Sequence, residues 1–180
     1  MKHGRKWRAL LILGCFLFCP FVSRAQETAL QASLFYPAQI FPDGYSVDGF
    51  RLNLIYGINE DLKGVDIGIV NETKGSAHGF ELGVDNRVSK DFGGVQIGLF
   101  NEVKRDFKGI QAGVIANIIR RYCQGVQVSV FYNDAEEEIR GVQVGIFNHT
   151  GSLNGIQIGL LNFNDQTKYL GFFPFINAAF

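Results

Sequence analysis

At 180 residues, 47% of them hydrophobic, the chain is long enough for one domain with a sizeable core and too short for two ordinary ones. Its formal charge of zero hides an asymmetry: Lys2, Arg5, Lys6, Arg8 and Arg24 precede residue 26 with no acid among them, which leaves 12 basic against 17 acidic residues, a balance of −5, in the rest. A mildly acidic body without a basic patch argues against nucleic acid and against an anionic membrane surface as partner, because both are held by clustered Lys and Arg.

The first 25 residues have the three parts of a secretory signal peptide: basic Met1 to Arg8, apolar Ala9 to Val22, and the small-x-small end Ser23-Arg24-Ala25. Cleavage is expected between Ala25 and Gln26, with export to the cell envelope or surface. Two alternatives stand beside it. One is an uncleaved anchor, although at about fourteen residues, interrupted by Pro20, the apolar run falls short of the roughly twenty that span a bilayer. Leu11-Ile12-Leu13-Gly14-Cys15 also has the outline of a lipidation motif, with Cys15 as the attachment point.

Residues 26–48 come next. Leu34, Phe35, Tyr36, Ile40 and Phe41 concentrate apolar area, while Pro37 and Pro42 are expected to keep the segment out of a regular ladder. It reads as an N-terminal cap.

From residue 49 to 170 the chain is built on an octet, Gly-apolar-polar-apolar-Gly-apolar-apolar-Asn. Gly94-Val95-Gln96-Ile97-Gly98-Leu99-Phe100-Asn101 and Gly141-Val142-Gln143-Val144-Gly145-Ile146-Phe147-Asn148 are clear copies. Leading glycines fall at 49, 64, 79, 94, 109, 125, 141, 155 and 171, at intervals of 14 to 16 residues. The alternation of β-branched residues marks each octet as a strand with one buried face, and Val95, Ile97 and Leu99 are the residues expected to be inside. Two glycines per octet disfavour helix. The connecting sevens carry apolar pairs of their own, such as Val103 and Phe107, which suit a second short strand; the leading glycine is expected to turn the corner between them.

Two all-β architectures fit this pattern. In a β-solenoid with one repeat per coil and capped ends, like stacks on like at about 4.8 Å per coil. Asn71, Asn86, Asn101, Asn117, Asn133, Asn148, Asn162 and Asn177 would then form one ladder, and Gln96, Gln111, Gln127, Gln143 and Gln157 another. The alternative is a small up-and-down barrel in the outer membrane, a pore or membrane-stability protein, suggested by the aromatic end of residues 171–180. That barrel leaves the recurrent asparagine without a reason, since alternate strands would place it at opposite ends. Residues 171–180, with Phe172, Phe173, Pro174, Phe175 and Phe180, read as a last repeat remnant and cap.

The octets resemble a family of bacterial glycine-rich surface-repeat proteins, and Val47-Asp48-Gly49-Phe50-Arg51-Leu52-Asn53-Leu54-Ile55-Tyr56-Gly57 looks like the opening of the same pattern. The resemblance covers roughly residues 45 to 180. It implies a surface or envelope location and carries over no catalytic residue. The chain departs from the pattern at Ser129, where a second glycine is expected, and at Ala116 and Tyr132, each an extra residue before the asparagine; these put the ladder places of Asn117 and Asn133 in doubt.

Little in the chain is suited to chemistry. Cys15 and Cys19 leave with a cleaved leader, so Cys123 remains without a disulfide partner, and His78 and His149 lie in polar linkers. The glycines sit within strands and make no phosphate loop. The run Asp134-Ala135-Glu136-Glu137-Glu138 lacks the spacing of a calcium loop. No catalytic, cofactor or metal residue is therefore assigned, and an enzyme is not expected. The partner, a protein, an envelope component or a second copy, is unidentified, and membrane contact enters only through the barrel or through Cys15 lipidation. One feature points to recognition: Phe100, Phe131 and Phe147, at the seventh octet position, lie opposite in parity to Val95, Ile97 and Leu99 and would mark an interaction stripe if they are exposed.

Overall fold

A computed structural model describes residues 26–167 and 172–180. The proposed leader with Cys15, and the ninth leading glycine, Gly171, lie outside the described residues. The described chain has no helix. In chain order its strands are β1 (Gln26–Phe35), β2 (Ala38–Gln39), β3 (Tyr45–Asn59), β4 (Leu62–Thr73), β5 (Ala77–Leu82), β6 (Asp85–Val88) and β7 (Phe92–Val103). There follow β8 (Phe107–Ile119), β9 (Tyr122–Ser129), β10 (Tyr132–Ala135), β11 (Glu138–Val144), β12 (Phe147–Thr150), β13 (Leu153–Asn164) and β14 (Phe172–Ala179).

Successive octets pair in parallel. Gly94 lies against Gly79 and Gly109, Gln96 against Glu81 and Gln111, and Asn101 against Asn86 and Asn117. Parallel pairing with each residue beside its counterpart one repeat away is a β-solenoid, and it excludes the up-and-down barrel, whose neighbouring strands run antiparallel. Each coil has a longer side, as in β5, β9 and β11, and a shorter side, as in β6, β10 and β12.

The corners are not where the leading glycines are. Gly94 lies inside β7, and the bends fall at the fifth to seventh octet positions, as at Gly83 and Val84 between β5 and β6, and in the linkers, as at Lys104 to Asp106. The leading glycines are nonetheless obligatory. Gly49, Gly64, Gly79, Gly94, Gly109, Gly125, Gly141 and Gly155 all have φ between 129° and 152°. A Cβ on Gly94 would stand 2.0 Å from the carbonyl oxygen of Gly79, and the same contact recurs along the column.

The interior corrects the expected polarity of the octet. Gln96 and Asn101 are completely buried, whereas Ile97 and Leu99 lie on the outside. Alternation defines two faces of a strand without saying which is inside. The decision comes from the linkers. Val47, Leu62, Ala77, Phe92, Phe107, Cys123, Ile139 and Leu153 form one continuous apolar column, with the rings of Phe92 and Phe107 stacked 5.6 Å apart. Val88, Val103, Ile119 and Ala135 form part of a second. Phe92 and Gln96 share a parity along β7, so burying the phenylalanine buries the glutamine.

Buried amides cost free energy unless every hydrogen bond is made, and here they are made between copies. Asn53, Asn71, Asn86, Asn101, Asn117, Asn133, Asn148 and Asn162 form an unbroken chain in which each Nδ2 donates to the Oδ1 of the next, at 2.8–2.9 Å. Nδ2 also donates to a backbone carbonyl, as Asn101 does to Ala112 at 2.9 Å. Gln111, Gln127, Gln143 and Gln157 each donate to the preceding glutamine, and Gln96 donates to Glu81. The second glycine of the octet clears room for this: a Cβ on Gly98 would stand 2.8 Å from both Asn101 Oδ1 and Asn86 Nδ2.

Three details of register differ from expectation. Asn117 and Asn133 keep their ladder places, because the extra residues in their coils are absorbed at the corner. Asn177 is not a rung of the asparagine ladder: β14 runs antiparallel to β13, which places Asn177 beside Gln157, to whose Oε1 it donates at 2.8 Å. Asn162 instead closes its ladder on the Phe173 carbonyl, 3.0 Å away. Finally, β1 does not stand apart from the ladder. It pairs in parallel with β3 from Gln26 to Ser33, and only the chain beyond it, through Pro37 to β2, turns back over its edge.

Candidate functional site

Inverting the octet has a direct surface consequence. On each coil the second, fourth and sixth octet residues point to solvent, and they are almost all apolar. Leu54, Ile69, Val84, Leu99, Val114, Val130 and Leu160 line one column, all exposed. Leu52, Leu82, Ile97, Val128 and Ile158 are exposed in the neighbouring column, and Phe50, Val65 and Ile110 in the third. The face continues onto the end strands, where Leu30 pairs with Phe50 and Ile176 with Ile158. The result is a sheet face of apolar side chains on a regular grid, one row per coil.

The aromatic stripe borders this face at the corner. Phe100, Phe131 and Phe147 are 43%, 50% and 39% exposed, so all three are at the surface. They do not form one column. Phe147 pairs with Tyr132, and Tyr132 with Ala116, which in turn pairs with Phe100. Phe131 is displaced into the corner because its coil carries an extra residue there. Phe100 and Phe147 thus stand three coils apart in one column, with Tyr132 rather than Phe131 between them.

The opposite border is polar. Asp48, Lys63, His78, Gly93, Lys108, Gln124, Arg140 and Asn154 occupy equivalent places, one per coil. Lys63 pairs with Asp48 at 3.3 Å and Arg140 with Glu138 at 2.8 Å. A surface groove of about 660 Å³ runs along this border from His78 past Gly93 and Lys108 to Arg140, with Asp91, Asp106 and Tyr122 on its walls.

The acidic run is already neutralised by the protein. Glu136 pairs with Arg120, Glu137 with Arg121 at 3.7 Å and Glu138 with Arg140. Asp134 receives His149, whose Nδ1 stands 2.7 Å from Oδ1, while Nε2 faces Asp165 at 3.3 Å. The hydrogen bond to Asp134 raises the His149 pKa against the opposing effect of burial. Cys123 lies in the apolar column, and burial pushes its thiol up to about 12, where a thiolate nucleophile is out of reach at neutral pH. Among the described residues no three His, Cys, Asp or Glu side chains are grouped to hold a metal ion.

One cluster escaped sequence reasoning. The interior column that is glutamine from Gln96 onward begins with Gln31, Arg51, Asp66 and Glu81, all buried. The Arg51 guanidinium donates Nε to Asp66 Oδ1 at 3.0 Å, Nη2 to Asp66 and Thr73, and Nη1 to the Glu72 carbonyl. Glu81 accepts from Gln96 Nε2 at 2.8 Å, and its carboxyl is pushed up to about 8, first by burial and then by the nearby Asp66, against the pull of Arg51. The signal was present: aligned on their glycines, the first three octets replace the polar third residue by a charged one. With no access to solvent, the cluster has a structural role.

Comparison with family models, with curated proteins and with solved structures finds no match to this chain.

Proposed function

We propose that this chain is an exported, non-enzymatic module of the cell envelope or surface that works by binding through its apolar outer face. The observation that carries the reading is that face: three columns of outward-pointing Val, Ile, Leu and Phe, with exposed members on every coil except the one from Gly141, where Val142, Val144 and Ile146 are half-buried. Isolated apolar residues on a protein surface need no explanation, but contiguous patches beyond a few hundred Å² mark interaction sites. Strand propensity alone does not call for apolar residues at outward positions, since Thr would suit a strand there as well as Val or Ile, and Leu has no such preference. Their recurrence on every coil therefore points to a role outside the fold. The leader-like first 25 residues support export, and the buried, unreactive Cys123 and the ion-paired acidic run support binding rather than catalysis.

The test expresses the full sequence in a bacterial host and asks where the protein goes. Mass spectrometry should find a mature chain beginning at Gln26, and the wild type should pellet with the envelope. Replacing Leu99 and Val130 by Gln, two exposed positions, should release it to the soluble fraction with an unchanged circular dichroism spectrum. Equal envelope retention of that variant would remove the apolar face from the function.

A further inference from the structure

We infer that the partner of the apolar face is a second copy of this chain, packed sheet against sheet; this rests on the binding role proposed for that face.

Three observations select this occupant. The first is the grid. Side chains project at about 4.8 Å from coil to coil and about 6.7 Å along each strand, a spacing fixed by the solenoid. A surface that interdigitates with such a grid at every row must share its period, and another copy of the same face supplies it, as the two inner faces of a β-sandwich do.

The second is area. The long side is built of β1, β3, β4, β5, β7, β8, β9, β11, β13 and β14 in that order. Nine strand spacings of about 4.8 Å and three outward columns give a footprint of roughly 43 by 18 Å, or about 800 Å² per partner, the size of a standard stable interface.

The third is the rim. An anionic membrane would need free cations around the apolar face. Here two of the three border cations, Lys63 and Arg140, are matched by Asp48 and Glu138, Lys108 stands without a salt bridge among the described residues, and the chain beyond the leader is acidic. A neutral apolar face with so few free cations at its rim suits a copy of itself better than an anionic lipid surface.

The dyad of a face-to-face pair lies in the interface plane, either along the solenoid axis or along the strands. Ala112, in the middle column on the central strand β8, lies near that dyad in both cases and so faces its own copy. The test uses protein expressed from the full sequence and purified without detergent. Sedimentation should give twice the chain mass, Ala112→Cys should be joined to its own copy by a bis-maleimide reagent that spans the roughly 10 Å between packed sheets, and Ile97→Lys with Val128→Lys should shift the mass to that of one chain. Cys123 is buried and does not compete. A single-chain mass together with no cross-link through Cys at 112 overturns the inference. The envelope-retention assay then separates the two readings: loss of retention in Leu99→Gln with Val130→Gln keeps the face as a binding surface, with vesicle flotation of the monomer reporting a lipid partner instead. If the lysine variant fails to fold, the cross-link in the otherwise native face still decides.

Discussion

The leading glycine and the ladder asparagine are the residues on which the coil depends, for different reasons. At Gly109, φ is 140° and an added Cβ would lie 1.9 Å from the Gly94 carbonyl oxygen, so the backbone angle and the space both exclude alanine. Strain at such an angle alone costs on the order of 1–3 kcal/mol. Gly109→Ala is therefore expected to lower unfolding free energy by about 3 kcal/mol or more in urea titration, whereas a change at exposed Gly44, around which nothing is crowded, should be near neutral. Asn101→Ala would strip the Asn86 amide of its acceptor, Asn117 Oδ1 of a donor and the Ala112 carbonyl of another. Orphaned buried groups cost about 1–3 kcal/mol each, and a loss of about 3 kcal/mol is expected by the same titration.

Glu81 makes a residue-scale prediction about pH. Its carboxyl is held protonated in the fold, up to about 8, and ionises near 4.5 when unfolded. A raised acid binds its proton more tightly in the native state. The stability it contributes is thus complete below about 4.5, is lost progressively as pH rises to about 8, and changes no further above that. Glu81→Gln removes the titration and adds one rung to the glutamine ladder. The variant should melt higher than the wild type at pH 8, with a difference that shrinks towards pH 5; an equal difference at both values would contradict a protonated Glu81. His149 loses its own contribution with rising pH in both proteins, so the comparison isolates Glu81.

At the scale of the strand and corner, the repeat keeps register along its straight runs and absorbs length at its bends. The coils from Gly109 and Gly125 each carry an extra residue, Ile115 or Ala116 in one and Phe131 or Tyr132 in the other, yet Gly109, Gly125 and Gly141 stay paired. In the coil from Gly49 the ladder place falls to Gly57, and Asn53 reaches across to fill it: a Cβ on Gly57 would collide with the Asn53 amide, which bonds Asn71 at 2.8 Å. Deleting Ile115, which restores the octet length of Gly94 to Asn101, is expected to cost under about 1 kcal/mol, in line with the tolerance of bends for length changes. Deleting Val95 instead would exchange the two faces of β7 and break both ladders. Thermal melts of the two deletions should therefore separate widely.

These elements also explain what was legible in the sequence. Glycine intervals and the recurrent Gln and Asn set the coil and its parallel stacking, because only like-on-like stacking gives those amides a reason. The strand pattern could not say which parity was buried, since Val95, Ile97 and Leu99 look like core to any reading that counts apolar residues. The deciding residues, Phe92, Val103 and Phe107, lie outside the octet. Asn177 was misplaced because nothing local to residues 172–180 reveals that the last strand runs antiparallel. Phe131 was misplaced because an added residue at a bend moves a side chain out of column without changing the motif. Of the candidate site, the three aromatics at its border were visible and the broader face was not, being mistaken for the interior.

At the scale of the whole molecule, the chain is a solenoid whose interior is half amide and whose longest side is apolar to solvent. Ordinary β proteins place polar groups outside, and here two hydrogen-bonded ladders make the inverse affordable. Side-chain amide hydrogen exchange followed by NMR tests this directly, because Gln96 to Gln157 and Asn71 to Asn162 are inside while Gln124 and Asn154 are exposed on the same strands. The ladder amides should persist alongside the slowest backbone amides and outlast Gln124 and Asn154 by orders of magnitude, whether or not the outer face is covered by a partner. Exchange of the ladder amides at the rate of Gln124 and Asn154 would place the glutamines outside and the Val, Ile and Leu of the octet inside, and would contradict the fold described.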